Sequence, residues 1–187
     1  MNLRGSLLMR LQMFARITFG LWCLLAVGLL PPVQAQSTAQ LPEGVEPMAF
    51  GMDILTITTE NGRFVFDIEV ATTPQQHARG LMYRPVLGVN KGMLFIFQRE
   101  QMQAFWMANT LIPLDMIFIS ADAKLVSIQR EATPLSRTSR PSEGPARFVL
   151  EIDGGEAAAL GIDADTLFEF GPKTIDYLDR LDALMAN

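Results

Sequence analysis

The sequence predicts a mainly β domain, a compact sandwich or partly closed barrel with two or three short peripheral helices. Short runs rich in β-branched and aromatic residues recur between residues 53 and 170. Gly, Pro, Asn and Asp punctuate them. Nowhere does a strand alternate with a long helix, as a doubly wound sheet requires.

In chain order, residues 36–52 begin with QSTAQLPEGVEP, polar and without a period, which predicts a flexible spacer. Residues 53–59 (DILTITT) and 64–70 (FVFDIEV) are strands by composition. In the second, Phe64, Phe66, Ile68 and Val70 form one apolar face. Asn61-Gly62 between them supplies the residues a tight hairpin needs at positive φ. Thr73-Pro74-Gln75-Gln76 then opens a helix, with Thr73 as cap, Pro74 in the first turn and Gln76 closing a capping box. Ala78, Leu81 and Met82 give that helix an apolar stripe, Arg79 and Arg84 complement its C-terminal dipole, and Pro85 is expected to stop it near Arg84.

Residues 93–97, 105–109, 114–119 and 125–129 are predicted as four further strands. The stretch 131–147 holds Pro134, Pro141 and Pro145 with Arg137, Arg140 and Arg147, has no apolar period, and is expected to be a long loop, mobile or a lid. Residues 148–152 and 166–170 are strands around a helical turn at 156–160. Ile175, Leu178, Leu181 and Leu184 predict an amphipathic C-terminal helix within 172–187, braced by Asp176 and Arg180 four residues apart.

The first 35 residues have the pattern of a secretory signal. Arg4, Arg10 and Arg16 precede an apolar run of 14 residues, and Val33-Gln34-Ala35 offers a small-residue cleavage site. The competing reading, an uncleaved anchor, is opposed by the shortness of that run, since a bilayer takes roughly 20 residues. The domain from residue 36 on is therefore expected to be periplasmic or secreted, touching a membrane only through the signal before cleavage. Cys23, the one cysteine, falls inside the signal, so the domain must be held by its core rather than by disulfides. Beyond residue 35, 20 acidic residues face 12 basic ones, a net charge of −8, which argues against a nucleic-acid partner.

Several blocks together carry a resemblance. Arg79-Gly80-Leu81-Met82-Tyr83-Arg84, Gly92-Met93-Leu94-Phe95, Phe105-Trp106-Met107 with Asn109-Thr110, and Ile112-Pro113-Leu114-Asp115 with Ile117-Phe118 resemble the DUF192 (UPF0127) family. Pro145-Ala146 with Val149-Leu150-Glu151 resembles its second characteristic block. The resemblance spans residues 53–171 and implies a compact β-rich fold, often exported. It implies no reaction, because the family's function is not established. The chain departs from the family in having Ala108 after the Trp-Met pair in place of a basic residue, which weakens any anion site there. Ala121-Asp122-Ala123 and Ala164-Asp165 are departures in turns.

The polar set Arg79, Arg84, Asn109, Thr110, Asp115 and Glu151 has two readings. It converges with Trp106 on a pocket for a small ligand or an envelope partner, or it is a buried network clamping helix to sheet. Asp115 and Glu151 would also serve as a glycan hydrolase pair if they flanked one bond. His77, the only histidine, is expected on the helix surface, which leaves nucleophilic triads without support. Met93, Met102 and Met107 around Trp106 are a soft-ligand set for Cu(I), although methionines in apolar strands are ordinarily core. No cofactor motif is present: Gly154-Gly155 lacks phosphate-loop spacing and has acidic flanks. In Phe105-Trp106-Met107, alternation would turn Trp106 away from its neighbours, toward a binding surface.

Overall fold

The computed structural model describes residues 41–186; the signal segment lies outside them. About 45% of the described residues are strand and 16% helix, arranged as one curled, half-barrel sheet with three short helices. The elements are β1 (Gly51–Thr59), β2 (Gly62–Ala71), α1 (Pro74–Arg79), β3 (Lys91–Phe105), β4 (Leu114–Ile119), β5 (Leu125–Ala132), β6 (Arg140–Asp153), α2 (Glu156–Ala159), β7 (Leu167–Phe170) and α3 (Pro172–Met185). The sheet order is β5-β4-β6-β3-β2-β1-β7. Every pairing is antiparallel except β2 with β3, the two strands joined through α1.

Both faces of the central strands are buried. Leu94, Ile96, Ile117, Ile119, Phe148, Leu150 and Ile152 join one apolar cluster, to which α2 and α3 contribute Ala157, Tyr177 and Leu178. The alternate residues, Met93, Phe95, Met116, Phe118 and Val149, join a second cluster with Leu81 and Met107. This follows from the period of two along a strand. It also explains why these strands read as continuous apolar runs.

Locally encoded elements stand as expected. The hairpin closes on Thr59 paired with Gly62. Thr73 Oγ1 accepts from Gln76 N, and Gln76 Oε1 accepts from Thr73 N, completing the capping box. Asp176 and Arg180 meet at 2.8 Å.

Four expectations are corrected. The segments 93–97 and 105–109 are not two strands. β3 is one strand of 15 residues with register shifts between Ile96 and Gln101 and between Met102 and Ala104, and the chain turns after Phe105. The 131–147 loop shrinks to residues 133–139, because β5 runs to Ala132 and β6 begins at Arg140. Pro141 and Pro145 sit opposite Ala104 and Met102, at the irregular part of the β3–β6 ladder, where a missing N–H is tolerated. α1 ends at Arg79 rather than near Arg84, stopped by Gly80 at φ 46°, a conformation that favours glycine. α3 forms where expected, but of its apolar stripe Leu178 packs on the core while Ile175 and Leu184 are exposed, and the buried residue is Thr174. Residues 41–50 carry no regular element, yet they are tied to α1: Gln76 Nε2 donates to Ala49 O, and Arg79 Nη2 to Glu46 O.

Candidate functional site

β6 supplies the centre of the site. Glu151 lies opposite Met93 of β3 and Met116 of β4, on the sheet face it shares with Val149. α1 and the turn after it roof this face. A Cβ added at Gly80 would lie 3.3 Å from Phe95 Cζ and 4.0 Å from Glu151 Oε2, so the glycine lets the backbone come down onto the carboxyl. Between roof and sheet lies a cavity of 550 Å³.

Aromatic rings form part of its wall. Phe95 and Phe97 both face it from β3, and Phe105, at the strand's end, packs edge-on to each at 5.0 and 6.3 Å between ring centroids. Trp106, 59% exposed, stands at the rim. Arg137 and Ser139 line the cavity from the loop 133–139. That loop is held to the segment after β3 by Met107 N donating to Ser136 O and Leu135 N donating to Thr110 O.

Glu151 is only 4% exposed. Among the described residues, no hydrogen bond or ion pair reaches its carboxyl group. Burial away from water disfavours the charged form and pushes its pKa up to about 8. At neutral pH the cavity floor is therefore a protonated acid able to donate a hydrogen bond. His77 lines the same cavity, its ring tilted against Phe97 at 4.6 Å between centroids, with Nε2 3.1 Å from the Ala71 carbonyl. Burial lowers its pKa against the opposing pull of the Ala71 and Ile96 carbonyls, leaving the ring neutral at pH 7. That carbonyl contact places the ring proton on Nε2.

The residues singled out in the sequence separate into three groups. Trp106, Thr110 and Glu151 come together on the cavity. Arg79 and Arg84 line a smaller groove of 220 Å³, formed with Phe50, Met82 and Tyr83. There Arg84 holds Glu69 through both guanidinium nitrogens, and Arg79 lies over Tyr83. Asn109 adopts φ 59° and accepts from Tyr83 N through its carbonyl, a turn role.

Asp115 belongs to neither cavity nor groove. It is fully buried, with Oδ1 accepting from Glu131 N and Oδ2 from Ala157 N. It pairs with Ile152, one residue along from Glu151, so the two carboxylates project from opposite faces of the sheet. The hydrolase pair is thereby corrected: the sheet itself separates two acids that would have to flank one bond. The copper set is dispersed as well, with Met93 and Met107 wholly buried and Met102 57% exposed. Among the described residues no cluster of three or more His, Cys, Asp or Glu is arranged to hold a metal.

Sequence reasoning missed His77, Phe95, Phe97, Phe105, Arg137 and Ser139. The available signal was parity for Phe95 and Phe97, which alternate on β3; Phe105 lies beyond its register shifts, where parity no longer carries. His77 lies one turn before the glycine that ends α1.

The model of the DUF192 family, described as "Uncharacterized ACR", matches residues 56–170. A crystal structure of a protein of unknown function from Novosphingobium aromaticivorans DSM 12444 is 43% identical, over 63% of this chain and 84% of that one, with a TM-score of 0.61. A second crystal structure, from Sinorhizobium meliloti 1021 and named as a candidate transcription regulator, is 32% identical over 67% of this chain and 98% of that one, with a TM-score of 0.64. No curated protein matches the chain.

Proposed function

This chain belongs to the DUF192 family, and from its main cavity we propose that it is a non-catalytic binding module that holds a small, partly apolar ligand against Glu151. One observation carries the reading: a carboxyl group that is 4% exposed and has no partner faces a ring-walled cavity of 550 Å³. A buried polar group without a hydrogen bond costs roughly 1–3 kcal/mol, and a ligand that satisfies it recovers that cost. Apolar walls with a few placed polar groups are the usual make-up of small-molecule sites. The module acts in the cell envelope, a reading supported by the Arg-rich, apolar and Val-Gln-Ala segments of residues 4–35. A regulator role like that named for the Sinorhizobium meliloti relative would call for a basic footprint, and the composition is acidic.

The test uses Trp106 at the rim. In the full chain carrying Trp22→Phe, Trp106 is the only tryptophan. Its emission is expected to be open to an aqueous quencher and to shift saturably with at least one class of small organic compound. Quencher access unchanged by every class, with no saturable shift, would leave the cavity without a ligand and the proposal without support.

A further inference from the structure

Among the described residues, no cation pairs with the Glu151 carboxylate when it ionises. Three arginines line the cavity or the neighbouring groove, and none pairs with it. Arg84 is taken by Glu69, across Met93 from Glu151. Arg79 is turned outward to Glu46 O and Tyr83. Arg137 lines the cavity yet forms no ion pair among the described residues. The other titratable groups on this side are His77 from α1 and Asp153, two residues along β6. β3 and β4 present Met93 and Met116 here, and Asp115 faces away.

The walls complete the pattern. Phe95, Phe97 and Phe105 line the cavity, and an aromatic ring face attracts a cation held within about 6 Å of its centre. An anionic ligand would instead meet an acid on the floor. Arg137 and Ser139 offer donors on the opposite, loop side.

We propose that the cavity takes an organic ammonium ion, its nitrogen on the Glu151 carboxylate, its hydrocarbon body against Phe95, Phe97 and Phe105, and an acceptor end toward Arg137 and Ser139. The inference rests on the cavity being a ligand site and names the ligand's class. Proton linkage follows directly. The empty site holds its proton up to about pH 8, whereas the ammonium ion requires the carboxylate, so binding expels one proton. Affinity then rises about tenfold per pH unit below pH 8 and levels off above it. A neutral acceptor bound by the protonated acid would show the reverse, constant affinity up to that pH and loss beyond it.

The experiment is calorimetric titration of the full chain with hexylamine, 6-aminohexanoate, hexanol and hexanoate at pH 6, 7, 8 and 9. At pH 7 it is repeated in two buffers of different ionisation enthalpy to count protons. Hexylamine is expected to tighten with pH and release close to one proton. Glu151→Gln should weaken it at least tenfold at pH 8 and flatten the profile. 6-Aminohexanoate should bind more tightly than hexylamine, with Arg137→Gln erasing the difference. If hexanol or hexanoate binds and hexylamine does not, or if hexylamine affinity ignores pH, the ammonium class is wrong while the cavity stays a site. If no probe binds at any pH, both readings fall.

Discussion

The two faces of the sheet bury carboxylates in opposite ways. On the face covered by α2 and α3, Asp53 and Asp115 are enclosed and accept hydrogen bonds from backbone amides. Asp53 accepts from Thr174 N at 2.7 Å, and Asp115 accepts from two backbone amides drawn from β5 and α2. Burial pushes Asp53 up, but its hydrogen bonds from Thr174, Ile54 and Lys173 outweigh that and hold it below the ordinary carboxylate value. On the face under α1, Glu151 has the burial without the bonds, and its pKa moves the other way. Burial thus gives a clasp in one place and an unsatisfied acid in the other. What differs is whether the backbone delivers donors, which separates a structural carboxylate from one left open to a ligand.

Removing the clasp should cost most. Asp115→Ala strands the amides of Glu131 and Ala157, and two buried charge-assisted bonds at about 1.5–3 kcal/mol each imply a loss on the order of 3–6 kcal/mol. Urea denaturation measures it. A loss below about 1 kcal/mol would erase the contrast between the two faces.

Glu151→Gln should act in the opposite direction. Well below pH 4.5 the acid is neutral in folded and unfolded chains alike, and its contribution is fully present. As pH rises toward about 8, the unfolded chain releases a proton that the folded chain keeps, so stability falls until the folded group also ionises. The glutamine variant lacks this slope. It should match the parent at about pH 3 and exceed it at pH 8.5 by an amount bounded at about 5 kcal/mol by the displacement in pKa. Asp153 and Glu156, which burial also raises, contribute equally to both proteins and cancel in the difference. Parallel stability curves from pH 4.5 to 8.5 would mean that Glu151 has a counter-ion after all.

This contrast was only half legible in the sequence. Glu151 and Asp115 both stand out as acids inside apolar runs, and the runs announce burial. They do not announce sides, because a strand covered on both faces has no polar alternation to mark inside from outside. The side is set by the pairing of Asp115 with Ile152 and of Met116 with Glu151, a register between strands more than 30 residues apart. Local signals fared better: Asn61-Gly62 for the hairpin, Thr73 to Gln76 for the cap and Asp176 with Arg180 all depend on neighbours within four residues. Pro141 and Pro145 misled, since proline argues against a strand unless the partner is irregular, and the irregularity belongs to β3.

The smallest expected effect probes the roof alone. α1 has six residues, too few to persist without tertiary support, and its start is fixed by the reciprocal bonds of Thr73 and Gln76. Thr73→Ala removes one of them and should cost about 1 kcal/mol. None of the bonds that hold Asp53 or Asp115 passes through α1, so the loss should stay local. Hydrogen exchange reads this directly: the amides of His77 and Gly80, which donate to Thr73 O and Gln76 O, should exchange about fivefold faster, while Ala157 and Thr174 hold their rates. Acceleration shared by all four amides would show the two faces to be one cooperative unit. Acceleration confined to the first two would show that the cavity opens from above while the clasp beneath stays shut, as a site that admits a ligand to Glu151 requires.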